Sequence, residues 1–162
     1  MSTQARVFSP RGSSRRRAVG PEIVPGNALF RRLGLGREHA ELLQQVHEGF
    51  RVTVIEKLAE ELNVPQSTVL KVARIAPATL SRRRKGPSGL LSPEESDRVY
   101  RIAAAYRAAV QLFEGDEAAA RGWLNEPARA LGGNTPLQYL DTETGAGAVH
   151  DLIGRLEHGV YT

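Results

Sequence analysis

The sequence predicts an all-α protein: an N-terminal helix-turn-helix domain followed by a small helical C-terminal domain. Past residue 26 the apolar residues fall three and four apart almost everywhere, the period of a helix with one buried face. No stretch sustains the two-residue alternation of a half-buried strand. Helix starts built on Ser, Thr, Asp and Pro punctuate the chain. Its 162 residues support one large domain or two small helical ones, each with a modest core.

Residues 1–26 are rich in Ser, Arg, Gly and Pro and nearly free of apolar residues at helical spacing, the composition of a disordered basic tail. A first helix is predicted from Arg37 to Glu48, with Leu42, Leu43 and Val46 on one face and Gly49 as its stop. A second, near Thr53–Leu62, places Ile55, Leu58, Ala59 and Leu62 at i, i+3, i+4 and i+7. Phe50–Ile55 is β-branched enough to be a short strand instead, and both readings stand. Pro65 opens a third helix to about Ala73, and Pro77 starts a fourth.

The strongest start follows, where Ser92, Pro93 and Glu95 supply an N-cap hydroxyl, a proline at N1 and the glutamate of a capping box. The helix it opens is long, because Val99, Ile102, Ala103, Tyr106, Val110 and Phe113 form one stripe that ends at Glu114 and Gly115. Asp116 caps a shorter helix through Leu124, with Trp123 its largest buried group. Gly132, Gly133 and Asn134 make a turn, and Thr135 and Pro136 open a brief helix to Leu140. Thr142 caps the last helix, where Val149, Leu152, Ile153 and Leu156 repeat the spacing until Gly159.

The formal charge of +4 hides a division. Residues 1–86 hold 16 Lys and Arg against 7 Asp and Glu, a net of +9, whereas residues 87–162 hold 6 against 11, a net of −5. A basic half is drawn to a polyanion by counterion release, and DNA is the commonest one available. The absence of cysteine excludes disulfides, thiol nucleophiles and thiolate metal sites, and fits a reducing cytoplasm. No run approaches the roughly 20 apolar residues of a membrane span. No charged segment followed by an apolar core opens the sequence, and Pro10, Gly12, Gly20 and Pro21 would break the helix of a transit peptide.

Residues 65–85 read as helix, tight connection, helix, the arrangement that lays a second helix in the major groove of DNA. Val69, Val72, Ile75 and Leu80 pack the pair together. Ser67 and Thr68 on the first helix, with Thr79, Ser81, Arg82, Arg83, Arg84 and Lys85 projecting from the second, are the DNA-binding candidates. The arginine fork suits guanine O6 and N7, while Ser and Thr reach bases or phosphates. Successive residues point about 100° apart, so some of the four cations must meet phosphates instead of bases. A solvated helix C-terminus, favoured by the macrodipole, is the competing reading of Arg82–Lys85, and the charge division tips the balance to DNA. Arg15, Arg16 and Arg17 read equally as a phosphate-binding arm or as a solvated tail.

Catalysis has little footing. His39, His47, His150 and His158 are scattered on surface-like helices, and the adjacent pairs His150–Asp151 and Glu157–His158 point apart on a helix. No metal-ligand spacing appears, no cofactor is indicated, and Gly132–Gly133 lacks the lysine and preceding strand of a phosphate loop. A non-enzymatic protein is expected.

Three strings together, TLSRRRKG from Thr79, LSPEESDRVYRIA from Leu91 and WLNEPARALGGNTPLQYLDTETGAGAV from Trp123, resemble the Xre-like antitoxins that pair with RES-domain toxins. The terminal LIGRLEHGVY fits as well, and the likeness runs from about residue 50 to the end. The resemblance implies a homodimeric type II antitoxin of the Xre/MbcA/ParS kind that neutralises an NAD-degrading toxin and represses its own operon at operator DNA. It divides the chain into the tail at 1–26, a DNA-binding domain at 27–90 and a toxin-binding domain at 91–162. Trp123, Pro127, Leu131, Pro136 and Tyr139 fall in the framework of the latter, mostly as core. Arg155, His158, Gly159, Val160, Tyr161 and Thr162 are the candidates for toxin contact, an end able to fill the toxin's nucleotide pocket. In two respects the chain departs from the family. Ala76 stands where a Ser-type cap usually precedes the reading helix, a loss of about 1 kcal/mol if nothing replaces it. The long basic tail is also outside the pattern. A transcriptional regulator without a toxin partner, and an interaction protein that has lost DNA binding, are the competing readings.

Overall fold

The computed structural model describes residues 26–159, in which nine α-helices and one 3-10 turn account for the regular structure. In chain order they are α1 (Asn27–Leu33), α2 (His39–Glu48), α3 (Thr53–Leu62), α4 (Gln66–Val72), α5 (Pro77–Lys85), α6 (Pro93–Leu112), α7 (Glu117–Asn125), the 3-10 turn (Arg129–Leu131), α8 (Pro136–Tyr139) and α9 (Glu143–Glu157). No strand is present among the described residues; the β-branched Phe50–Ile55 segment contributes one isolated antiparallel bridge, Arg51 with Leu90, before entering α3.

The central element is α6, whose Val99, Ile102, Ala103, Ala105, Tyr106, Ala109 and Val110 are buried. Its predicted start is realised in full. Ser92 Oγ accepts from the Glu95 amide at 3.1 Å, and Glu95 Oε2 accepts from the Ser92 amide at 2.8 Å. Around α6 pack α1, α2, α7 and α9, with α3 and α4 held beyond α1 and with α8 between α7 and α9. A single apolar core runs from Leu29 to Ile153 through both halves of the chain. The cap residues Asp116 and Thr142 accept from amides three residues on, as their side chains predict, and Thr135 forms a second capping box with Gln138.

Two junctions tie the halves. At the C-terminal end of α3, where helix carbonyls lack partners, the Glu61 carbonyl accepts from Tyr106 Oη at 3.1 Å and Arg121 Nη1 at 3.4 Å, and the Leu62 carbonyl from Asn125 Nδ2 at 3.5 Å. Burial holds the Tyr106 hydroxyl above its usual pKa, against the nearby Arg121. On the outside Arg32 of α1 bridges Glu61 of α3 and Glu117 of α7, and these carboxylates push its guanidinium pKa further up.

Four local expectations change. The helix α1 lies where none was predicted, and its Leu29, Phe30 and Leu33 are buried; Phe30 meets Tyr100 edge-on at 6.4 Å and carries the Arg107 guanidinium 4.0 Å above its ring. On α2 only Leu42 is buried, and Leu43 is 48% exposed. On α7 the core positions are Ala120 and Leu124, with Trp123 half-buried on the flank. Pro65 is the N-cap of α4, one position before N1. Residues 1–25, with the Arg15–Arg17 cluster, and Val160, Tyr161 and Thr162 lie outside the described residues.

Candidate nucleic-acid interface

The helices α4 and α5 stand where the sequence predicts them, joined through Ala73–Ala76, and Val69, Val72, Ile75 and Leu80 are all buried. The two ends of the longer segment from α3 to α5 are clamped to one another. The Leu91 amide donates to the Phe50 carbonyl at 2.8 Å and the Val52 amide to the Gly89 carbonyl at 3.0 Å, while the Phe50 amide donates to Ser96 Oγ of α6 at 2.8 Å. Gly49 makes this closure possible, with φ at +94° and a hypothetical Cβ that would collide with the Leu91 carbonyl.

Among the exposed residues of α5, which also include Pro77 and Arg84, Ala78, Ser81, Arg82 and Lys85 are spaced i, i+3, i+4 and i+7 and form one open face. The other two cations do not join it. Arg83 Nη2 donates to Glu95 Oε1 at 3.3 Å, and Arg84 donates to Gln66 Oε1 at 3.2 Å while pairing with Glu56. All four were expected to project outward; Arg82, Arg84 and Lys85 are exposed and Arg83 is half-buried, and Arg83 and Arg84 are drawn to the two flanks of α5 because carboxylates distant in sequence, on α6 and α3, are folded against them. Glu95 is 8% exposed, and although burial alone would raise its pKa, the Ser92 amide and Arg83 hold it below the usual carboxylate range.

The remaining candidates are spread out. Ser67 is exposed on the first turn of α4, and Thr79 is half-buried. Thr68 lies with Lys71 in a cleft of about 520 Å³ whose opposite wall is Asn134, Gln138, Tyr139 and Asp141, so it faces the C-terminal half. Ala76 caps α5 with no side-chain bond, and nothing among the described residues substitutes. On the last helix Arg155 is exposed, as are His158 and Gly159 just past its end, and His150, Asp151 and Gly154 share an open cleft with Arg155 and His158. Of the framework residues Leu131 and Pro136 are buried, Trp123 and Tyr139 half-buried and Pro127 exposed. No group of three or more His, Cys, Asp or Glu is gathered for a metal, and no helix is long and apolar enough to cross a membrane, among the described residues.

A helix-turn-helix unit with an open basic face, built onto a second helical module through one long helix, defines the class: an all-α protein with a helix-turn-helix domain and a second helical domain. Residues 41–104 match the Antitoxin Xre-like helix-turn-helix domain, and residues 108–159 the Antitoxin Xre/MbcA/ParS C-terminal toxin-binding domain. Three relatives are each named Antitoxin Xre. The one from Yersinia enterocolitica is 40% identical over 83% of this chain and 91% of its own length. That from Photorhabdus laumondii is 37% identical over 85% and 93%, and that from Pseudomonas putida 29% over 74% and 72%. The chain belongs to the Xre antitoxin family. DNA and a protein toxin are the partners that its two domains imply.

Proposed function

We propose that the chain neutralises an NAD-degrading RES-domain toxin through its C-terminal module and, as a cytoplasmic homodimer, represses its own operon by binding promoter DNA. The protein itself carries no catalysis in this reading. The observation that carries it is the joining of the open α5 face to a toxin-binding domain on a single helix, α6. Ser81, Arg82 and Lys85 read or hold the major groove, and Ser67, at the start of α4, reaches a phosphate. A two-fold dimer would present two such helices to an inverted repeat. The RES partner is supported by the sequence strings that run through α7, α8 and α9. Arg155, His158 and Gly159 lead into Val160, Tyr161 and Thr162, the end that fills the toxin's nucleotide pocket.

Co-expression with the neighbouring gene tests both halves at once. Toxin alone should deplete cellular NAD and stop growth, and this chain should restore both. Arg82→Ala with Lys85→Ala should release repression of a promoter fusion while protection persists, and a chain ending at Gly159 should do the reverse. A neighbouring product that leaves NAD untouched refutes the RES assignment; full repression by the double variant refutes the α5 face.

A further inference from the structure

We propose that Glu95 is a positioning residue for DNA reading: by holding Arg83 it fixes the orientation of α5, although it belongs to α6 and to the acidic half of the chain. The inference rests on the assignment of α5 as the reading helix. Its starting point is how little else holds that helix. Among the nine residues of α5 only Leu80 is buried, and Ala76 gives the N-terminus no side-chain cap. Leu80 sets the distance of α5 from the core, and Ile75 and Leu91 are buried beyond its two ends, so its rotation about its own axis depends on what its flanks meet.

Two polar contacts hold those flanks. Arg83 and Arg84 leave α5 about 100° apart and are caught on opposite flanks, by Glu95 of α6 and by Glu56 and Gln66 of α3 and α4. The two anchors differ in stiffness. The Glu56 side chain is 43% exposed, whereas that of Glu95 is 10% exposed and its second oxygen is already bound to the Ser92 amide at 2.8 Å. The doubly held Glu95 carboxylate has less freedom to follow its partner than Glu56 has, while the Arg83 and Arg84 side chains themselves are 37% and 40% exposed. Arg83 Nε is buried with no hydrogen-bond partner among the described residues, which marks the side chain as drawn inward by the carboxylate at a cost in its own solvation. The lowered pKa of Glu95 keeps that carboxylate charged at neutral pH.

The alternative is that Arg83 touches DNA directly, and the two ideas predict opposite signs. Glu95→Gln keeps the capping box, since Gln serves at N3, and removes only the charge facing Arg83. If Arg83 contacts DNA, losing a nearby negative charge strengthens binding to every duplex. If Glu95 positions α5, promoter binding weakens while binding to unrelated DNA holds or rises.

The experiment titrates the full chain, by fluorescence anisotropy at several salt concentrations, against duplexes from upstream of its own gene and scrambled duplexes of equal length. Glu95→Gln is expected to lower the promoter-to-scrambled affinity ratio about tenfold, the size of one mismatched base pair. Arg83→Met should lower the ratio alike, and the double variant no further than either single one. Urea midpoints taken alongside confirm folding, and Arg83→Met, at a partly exposed site, carries the test if Glu95→Gln does not fold. Tighter binding of Glu95→Gln to both duplexes overturns the inference. So does a uniform loss in Arg83→Met with a salt slope shallower by about one phosphate. A wild-type preference that survives Glu95→Gln overturns this inference alone, whereas a wild-type chain that binds both duplexes equally overturns the reading-helix assignment with it.

Discussion

Replacing Ser96 with alanine isolates the clamp on the helix-turn-helix unit. Ser96 is fully buried; its hydroxyl accepts from the Phe50 amide at 2.8 Å and donates to the Ser92 carbonyl at 2.7 Å. The Ser92 carbonyl keeps its helical bond from the Ser96 amide at 2.9 Å, so that loss is minor. The Phe50 amide has no other partner, and Phe50 is 4% exposed, too little for water to replace the hydroxyl. An orphaned buried donor costs about 1–3 kcal/mol, so Ser96→Ala should destabilise the chain by about 2 kcal/mol. For a domain of this size that corresponds to a fall in Tm of roughly 4–8 °C. Urea unfolding followed by circular dichroism measures it, with exposed Ser81→Ala as the control, expected within about 0.5 kcal/mol of the parent. A Ser96→Ala loss no larger than the control's would refute the reasoning that this hydroxyl alone satisfies the loop.

Three glycines of α9 should respond to alanine with opposite signs. A Cβ at Gly145 would fall on the Tyr139 carbonyl oxygen, a backbone atom that cannot swing away, so Gly145→Ala should cost about 1–3 kcal/mol and loosen the packing of α8 on α9. Gly147 and Gly154 have nothing within 4 Å of such a Cβ, so alanine at either should raise stability by about 0.5–1 kcal/mol in the same denaturation assay. Acid should weaken the fold through Glu95. The unfolded carboxyl takes up a proton near its ordinary value of 4.5 and the folded one only at lower pH, so the unfolded state binds more protons as pH falls through this window, and stability drops. Stability measured from pH 7 to pH 3 should therefore fall less steeply in Glu95→Gln, which starts lower by on the order of 1 kcal/mol; identical slopes would show that the Ser92 amide and Arg83 together do not hold the folded carboxyl below its ordinary value.

What the sequence carried and what it hid divide on physical grounds. Ser92–Glu95 and the stripe from Val99 to Val110 are local signals, one a cap and one a period, and both appear as read. The helix-turn-helix residues Val69, Val72, Ile75 and Leu80 were legible for the same reason. By contrast α1 spans only seven residues, begins at Gly26 with no capping side chain, and shows its period for barely one turn in Leu29, Phe30 and Leu33. Size misled at Trp123, because the small Ala120 takes the core-facing position on α7. The sharpest gap was in the interface itself. Four adjacent cations look alike in the sequence, and only the fold brings up Glu95, twelve residues downstream of Arg83, and Glu56, twenty-eight upstream of Arg84, to take two of them.

The twenty-residue helix α6 belongs to neither module alone. The boundary between the two matched domains falls between residues 104 and 108, in mid-helix, where Ala105 and Tyr106 are wholly buried and the backbone is a continuous rod about 30 Å long. A rod has no hinge, so α2 and α9, both packed on it, keep a set angle and separation. Cutting there would strip Tyr106 of its cover and uncap the end of α3, so the fragments are not spare parts. With one core shared along this rod, heat should unfold residues 26–159 in a single calorimetric transition.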